Sequence, residues 1–293
     1  MIFIDSANGH SYYAWNSQRQ KAVIFQPEKN PLEPGTYMQS IGDNLLFEIV
    51  NPSVDPYFVL NSTSTVIPQY DRILPKTSIW GVNQSDMPMI GRGSARVYVH
   101  LVNPVSINGH KYFQLHIDQG LLPFPSKLSR ISNLYGANVE IDSRRIALFA
   151  SNISVVDGSE LRSLKAPSSI KSFPVDLESP NLYYSGIYED GWISKNSYFD
   201  LSNDGKSKFT ISGLLPIIGH SKPLIDVVTV SVDGTKVGTA KISAGQFNVT
   251  FPISHLNKSL SVHHVGINFS NEQTLPGADG RPAVAHITYL GFN

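Results

Sequence analysis

The chain is 293 residues long, 41% hydrophobic and 16% charged, and its 23 basic and 23 acidic side chains cancel. Without a long run of one sign it cannot neutralise a phosphate backbone or grip an anionic membrane, so nucleic acid is not an expected partner. Cysteine is absent, which removes disulfides, thiol nucleophiles and thiolate metal sites from consideration.

This length allows one large core or two ordinary ones without crosslinks. The 22 glycines and 19 prolines indicate many short elements separated by turns. No stretch reaches the roughly 18 apolar residues that cross a bilayer. Met1-Ile2-Phe3-Ile4 is too short, and lacks the basic flank, for a signal peptide. The expectation is a soluble region, with any membrane-embedded part on another portion of the polypeptide. Asn61, Asn83, Asn152, Asn248, Asn257 and Asn268 open Asn-X-Ser/Thr triplets, which arise freely in an Asn- and Ser-rich chain.

In chain order, alternation begins after Pro34-Gly35. Residues 45–50 and 57–60 read as strands, the first closed by Asn51-Pro52. Residues 96–102 alternate until Asn103-Pro104, and 112–117 repeat the pattern after Asn108-Gly109, so 96–117 read as a hairpin. Strands follow at 145–150 and 152–156, then a short helical turn over 158–164, where Leu161 and Leu164 are spaced for one face. The aperiodic, proline- and serine-rich run 166–174 marks a domain boundary near 173.

Past it, 198–201 and 208–211 flank the turn Asn203-Asp204-Gly205. Residues 226–232 lead through Asp233-Gly234 into 235–237, the strongest hairpin signal in the chain. Further strands are expected at 245–251, 261–269 and 283–289. Many short strands without a helix of useful length predict an all-β protein. Its C-terminal domain, 173–293, is a jelly-roll-like antiparallel β-sandwich, and residues 1–172 form a second, N-terminal β-rich domain.

Trp192 stands beside the polar turn Glu189-Asp190-Gly191, with Tyr183, Tyr184 and Tyr188 near it in sequence. Sugars present C–H patches beside hydroxyls, so a flat aromatic face next to carboxylates suits their recognition. The alternative is a core plug at the sandwich end, covered by the tyrosines. The loop Gly277-Ala278-Asp279-Gly280-Arg281-Pro282 adds Arg281 as a forked donor and Asp279 as an acceptor, and these gain meaning if the loop meets the Asp190 turn.

Adjacent His263 and His264 point to opposite faces of a strand and cannot readily chelate one ion. Calcium is the one metal with any support, through Asp204, Asp233 and Asp279 beside glycines, although Asp-Gly pairs serve mainly as turns. Glu140 and Asp142, on an extended segment, would stand about 7 Å apart on one surface rather than across a glycosidic bond. The serine nucleophile elbow, the phosphate-cradling glycine loop and the His-Glu zinc helix are missing. A polysaccharide lyase or glycosidase would have to draw on Arg96, Tyr112 and His116 from neighbouring predicted strands. No catalytic residue is assigned.

The run Phe173-Pro174-Val175-Asp176-Leu177, followed by Tyr184-Ser185-Gly186-Ile187-Tyr188-Glu189-Asp190-Gly191-Trp192-Ile193-Ser194, resembles the start of particular β-sandwich domains. These are the carbohydrate-binding-module-like domains appended to prokaryotic cell-envelope membrane glycosyltransferases. Gly213-Leu214-Leu215-Pro216, Phe269-Ser270 and Leu275-Pro276 fit their later landmarks, and the resemblance covers residues 173–293 only. It implies a non-catalytic, extracytoplasmic accessory region, in the periplasm or at the cell surface. Its partner would be a cell-envelope or extracellular polysaccharide or oligosaccharide, with a membrane-embedded part of the same protein as a second partner. Tyr188, Asp190 and Trp192 are the nearest candidates for ligand contact. A structural or assembly module without a glycan ligand remains the alternative.

Overall fold

The computed structural model describes residues 53–62, 93–102, 104–107, 110–118, 152–218, 225–253, 260–277 and 279–293, with strand backbones elsewhere before residue 151. The described secondary structure is essentially all-β and largely antiparallel. Two compact units divide the chain. One comprises Met1–Thr63, Lys76–Pro88 and Tyr98–Ser159; the other comprises Ser64–Pro75, Met89–Val97 and Glu160–Asn293.

In the first unit, one sheet runs in the order Lys21–Ile24, Tyr12–Asn16, Ile2–Ile4, Asn44–Ile49, His110–Asp118 and Thr77–Trp80. Only the Ile2–Ile4 pairing with Asn44–Ile49 is parallel among these. Asn108 and Gly109 lie outside the described residues; the strand that pairs with His110–Asp118 just before them is Val105–Ile107. The hairpin expected over 96–117 is therefore corrected: the strand Ser94–His100 ends before Pro104, which breaks the ladder, and the chain restarts pairing in the short segment beyond it. Elsewhere in this unit Pro56–Ser62 pairs with Asn152–Asp157. The helical turn expected over 158–164 is present as α1, Gly158–Ser163.

The second unit is a sandwich of strands β1 (Ser169–Ile170), β2 (Tyr184–Ile187), β3 (Trp192–Ser202), β4 (Lys208–Leu215), β5 (Ile225–Val232), β6 (Thr235–Ser243), β7 (Gly245–Pro252), β8 (Val262–Phe269), β9 (Gln273–Thr274), β10 (Pro282–Ala283) and β11 (Ala285–Phe292). One layer has the order β2-β3-β8-β5-β6, and the other β1-β11-β4-β7. The layers are stitched at one corner, where Trp192 and Ile193 pair with His286 and Ala285.

Period-2 alternation explains the packing, with a register shift at Ser212/Gly213 bringing Ile287 inward out of step on β11. Val228, Val230 and Val232 of β5, Val265, Ile267 and Phe269 of β8, and Phe199 and Leu201 of β3 point inward from one layer; Phe209, Ile211 and Leu215 of β4 and Ile287, Leu290 and Phe292 of β11 meet them from the other. Each such side chain contributes about 1.5–3 kcal/mol through burial. Asp233 and Gly234, at φ of 50° and 76°, form the tight left-handed turn that fixes the β5–β6 register at Val232↔Thr235. His263 faces the core and is fully buried, whereas His264 on the opposite face is half-exposed.

Phe209 is fully buried and meets Phe292 edge-on, ring centroids 5.5 Å apart. Phe209→Ala is expected to destabilise the second unit by about 3–5 kcal/mol, read as a lowered urea midpoint. A midpoint unchanged from that of the wild type would show that this core does not hold the unit.

Candidate functional site

The site begins with a local necessity. β2 and β3 are joined by the loop Glu189-Asp190-Gly191, closed by the bonds from Tyr188 N–H to Trp192 O at 2.7 Å and from Gly191 N–H to Tyr188 O at 2.9 Å. This closure puts its last residue in the left-handed region, and Gly191 has φ 88°. A Cβ there would also stand 3.1 Å from the Phe173 ring and 3.2 Å from Ile287 O, so the backbone angle favours glycine and the tight surroundings add to it. Gly191 O accepts from Ile287 N–H at 2.9 Å, which ties the loop to β11. Asp190 is thereby held at the rim and Trp192 becomes the first residue of β3 rather than part of a free turn.

A second loop, between β9 and β10, is closed by Leu275 N–H donating to Arg281 O at 2.9 Å. It brings Arg281 over the turn. The guanidinium donates from Nε to Asp279 Oδ1 at 2.7 Å and from Nη2 to Asp279 Oδ2 at 3.0 Å. It also donates from Nη1 to Asp190 Oδ1 at 3.2 Å and from Nη2 to Asp190 Oδ2 at 2.5 Å. Its carbon centre lies 4.7 Å from the centroid of the Tyr188 ring, a cation–π arrangement. Tyr188 is fully buried and its hydroxyl donates to Pro282 O at 3.0 Å. Side-chain exposure rises outward from this floor: 18% for Arg281, 34% for Asp279 and 48% for Asp190.

Burial pulls the guanidinium pKa down, but hydrogen bonds to Asp279 and Asp190, with their charges, outweigh it and the pKa rises above its ordinary value. The same hydrogen bonds from the Arg281 side chain hold Asp279 below the usual carboxylate range, against a smaller opposing effect of burial. Trp192 is half-buried and packs against the cluster of Tyr188, Leu275 and Ala283, its ring 5.5 Å from His286 at 84°.

The five residues singled out from sequence, Tyr188, Asp190, Trp192, Asp279 and Arg281, are thus brought together. Tyr188 lies beneath the guanidinium, and nearly all the Arg281 donors are engaged by the two carboxylates. Trp192 is only part-buried, and the Asp190 and Asp279 side chains keep part of their surface in solvent. Sequence reasoning missed His286, the edge partner of the indole, because only the β3–β11 register places it there.

The carboxylates proposed for calcium each hold a partner within the protein. Asp204 pairs with Lys165 at 3.0 Å, Asp233 with His263 at 2.7 Å, and Asp279 with Arg281. Among the described residues no group of three or more His, Asp or Glu side chains is arranged to hold a metal. Arg96 lies over the Tyr184 ring and donates to Ser179 O; the side chains of Tyr112 and His116, and residues Glu140 and Asp142, lie outside the described residues. Among the described residues no helix is long and apolar enough to cross a membrane.

No family model and no curated protein matches the chain. Solved structures match the chain only at low similarity. The M60 catalytic domain with the CBM51-1 and CBM51-2 domains from Clostridium perfringens ZmpB is 8% identical, with a TM-score of 0.24, over 88% of this chain and 34% of that one. The tandem CBM51 modules of Sp3GH98, the family 98 glycoside hydrolase from Streptococcus pneumoniae SP3-BS71, are 9% identical, with a TM-score of 0.22, over 96% and 87%. The ANX2 ectodomain from Arabidopsis thaliana is 8% identical, with a TM-score of 0.25, over 100% and 96%. The chain spans about a third of the ZmpB structure. Likenesses at this level assign neither ligand nor activity.

A carboxyl held below its unfolded value of 3.8 contributes stability in full above that value and loses it as pH falls through its depressed folded value. Asp279→Asn is therefore expected to lower Tm at about pH 6. The gap to the wild type should narrow as pH falls through the depressed folded value of Asp279, where the wild type loses the charge too. A gap independent of pH would show that the Asp279 charge does not support the clasp.

Proposed function

We propose that residues 173–293 form a non-catalytic carbohydrate-binding module that takes a polysaccharide or oligosaccharide at the rim of Trp192, Asp190 and Asp279. The observation that carries this reading is the Arg281 clasp, which fixes two carboxylates from separate loops beside a half-buried indole. The indole offers an apolar surface to the C–H patch of a sugar, and the outward lone pairs of the carboxylates accept from its hydroxyls. Arg281 orients the acceptors and Tyr188 supports it from below. Preorganised acceptors lose little freedom on binding, which matters for weak, polar ligands.

In this proposal the module is an extracytoplasmic accessory to a membrane-embedded portion of the same protein and holds cell-envelope glycan. Saturation of Arg281 by its own carboxylates favours a second reading, a structural or assembly module in which the clasp only braces the two loops.

The two part at Trp192. On the glycan-binding reading, a glycan array finds ligands, and Trp192→Ala weakens the best of them roughly tenfold or more, with far-ultraviolet circular dichroism and cooperative unfolding retained. An array without hits, or a folded Trp192→Ala protein with unchanged affinity, leaves the brace.

A further inference from the structure

The pairing that stitches the two layers at Trp192 continues across the second layer. Trp192 stands opposite His286 on β11, His286 opposite Leu214 on β4, and Leu214 opposite Gln246 on β7. Residues directly opposite each other in an antiparallel ladder share a face. Their chain neighbours Ile193, Ile287 and Phe247 are buried in the core, so the four side chains form one row on the outer face of the layer.

A bulge makes this row. Ser212 pairs with Tyr289 but Gly213 with Ile287, which leaves Thr288 as an extra residue on β11. Strict alternation back from the buried Leu290 would turn Ile287 to solvent and His286 to the core; the extra residue reverses both. Gly213 permits the close passage of β4 at this point, since a Cβ there would stand 2.4 Å from His286 O. The backbone thus sets an imidazole beside the indole and in line with Leu214.

The row carries groups that the fold itself does not use. Leu214 is 43% exposed, and Gln246 is exposed. His286 is half-buried, edge-on to the Trp192 ring. Among the described residues, neither the His286 ring nitrogens nor the Gln246 side-chain amide has a hydrogen-bond partner. None of the four residues is a carboxylate, lysine or arginine, so the row suits an uncharged ligand. Three strand spacings of about 4.8 Å make it about 14 Å long, room for about three sugar rings in line.

We infer, resting on the reading of the Trp192 rim as a carbohydrate site, that the site extends along this row and takes a run of neutral sugars in an extended, β-1,4-linked chain. A straight row fits a straight chain, which that linkage gives. The indole and Leu214 cover C–H faces, while His286 and Gln246 exchange hydrogen bonds with the hydroxyls between them. The Arg281 clasp lies at the Trp192 end.

Calorimetric titration of the full chain with β-1,4-linked oligomers of glucose, mannose and N-acetylglucosamine, from monomer to hexamer, tests it. In at least one series affinity is expected to rise roughly tenfold or more between dimer and tetramer and then level off. In the double variant Leu214→Ser with Gln246→Ala, both at exposed side chains, the rise should shrink to less than about twofold. Thr239→Ala, at an exposed position of β6 in the other layer, should keep it. Cooperative thermal unfolding verifies that each variant is folded. Binding that Trp192→Ala abolishes but that does not grow with length would retain the rim and overturn the extension. A rise that survives the double variant, or is lost in Thr239→Ala, would overturn it too. So would the absence of binding in every series, and a glycan array that still found Trp192-dependent ligands would then keep the rim alone.

Discussion

One guanidinium organises the candidate site of the second unit. Arg281 is largely removed from water, and a buried cation is tolerated only where hydrogen-bond acceptors and opposite charge replace its hydration. Asp279 supplies one pair of bonds from within the same loop, and Asp190 supplies the other from 91 residues away in sequence. Without the guanidinium, two carboxylates would face each other with nothing between them, and the loops carrying them would separate. The Tyr188 ring completes the arrangement from below by offering its electron-rich face.

The clasp is available because the sandwich delivers its parts to one corner. The β3–β11 pairing at Trp192↔His286 stitches the layers where the Asp190 loop emerges. Gly191 lets that loop close against β11, and the bond from Leu275 N–H to Arg281 O closes the opposing loop. Packing of Leu275 and Ala283 on Tyr188 makes a small apolar floor beside the main core. Local backbone constraints thus fix where charge and aromatic surface lie, and chemistry at the rim inherits that precision.

Much of this was legible in the sequence. The alternating valines of β5 and the Asp233-Gly234 turn identify a hairpin because strand period and turn chemistry are local properties. The Asp190 turn and the loop holding Asp279 and Arg281 were both visible as polar punctuation, but their meeting depends on sheet topology. For the same reason sequence could not decide whether Tyr188 would be a surface contact or a floor; its full burial follows from the loop folding over it. Asn108-Gly109 shows the limit from the other side. The dipeptide marks a hairpin, yet the strand that pairs with His110–Asp118 is Val105–Ile107, too short to register as alternation.

The central claim is that the clasp presents the Trp192 indole to a sugar. The most direct test is the indole 1H–15N correlation of Trp192, assigned by its loss in Trp192→Phe and followed while the full chain is titrated with the tightest glycan found on an array. The account predicts a saturable shift of that resonance with the same midpoint as the calorimetric binding curve. A glycan that saturates the protein while the Trp192 indole stays unmoved would contradict it.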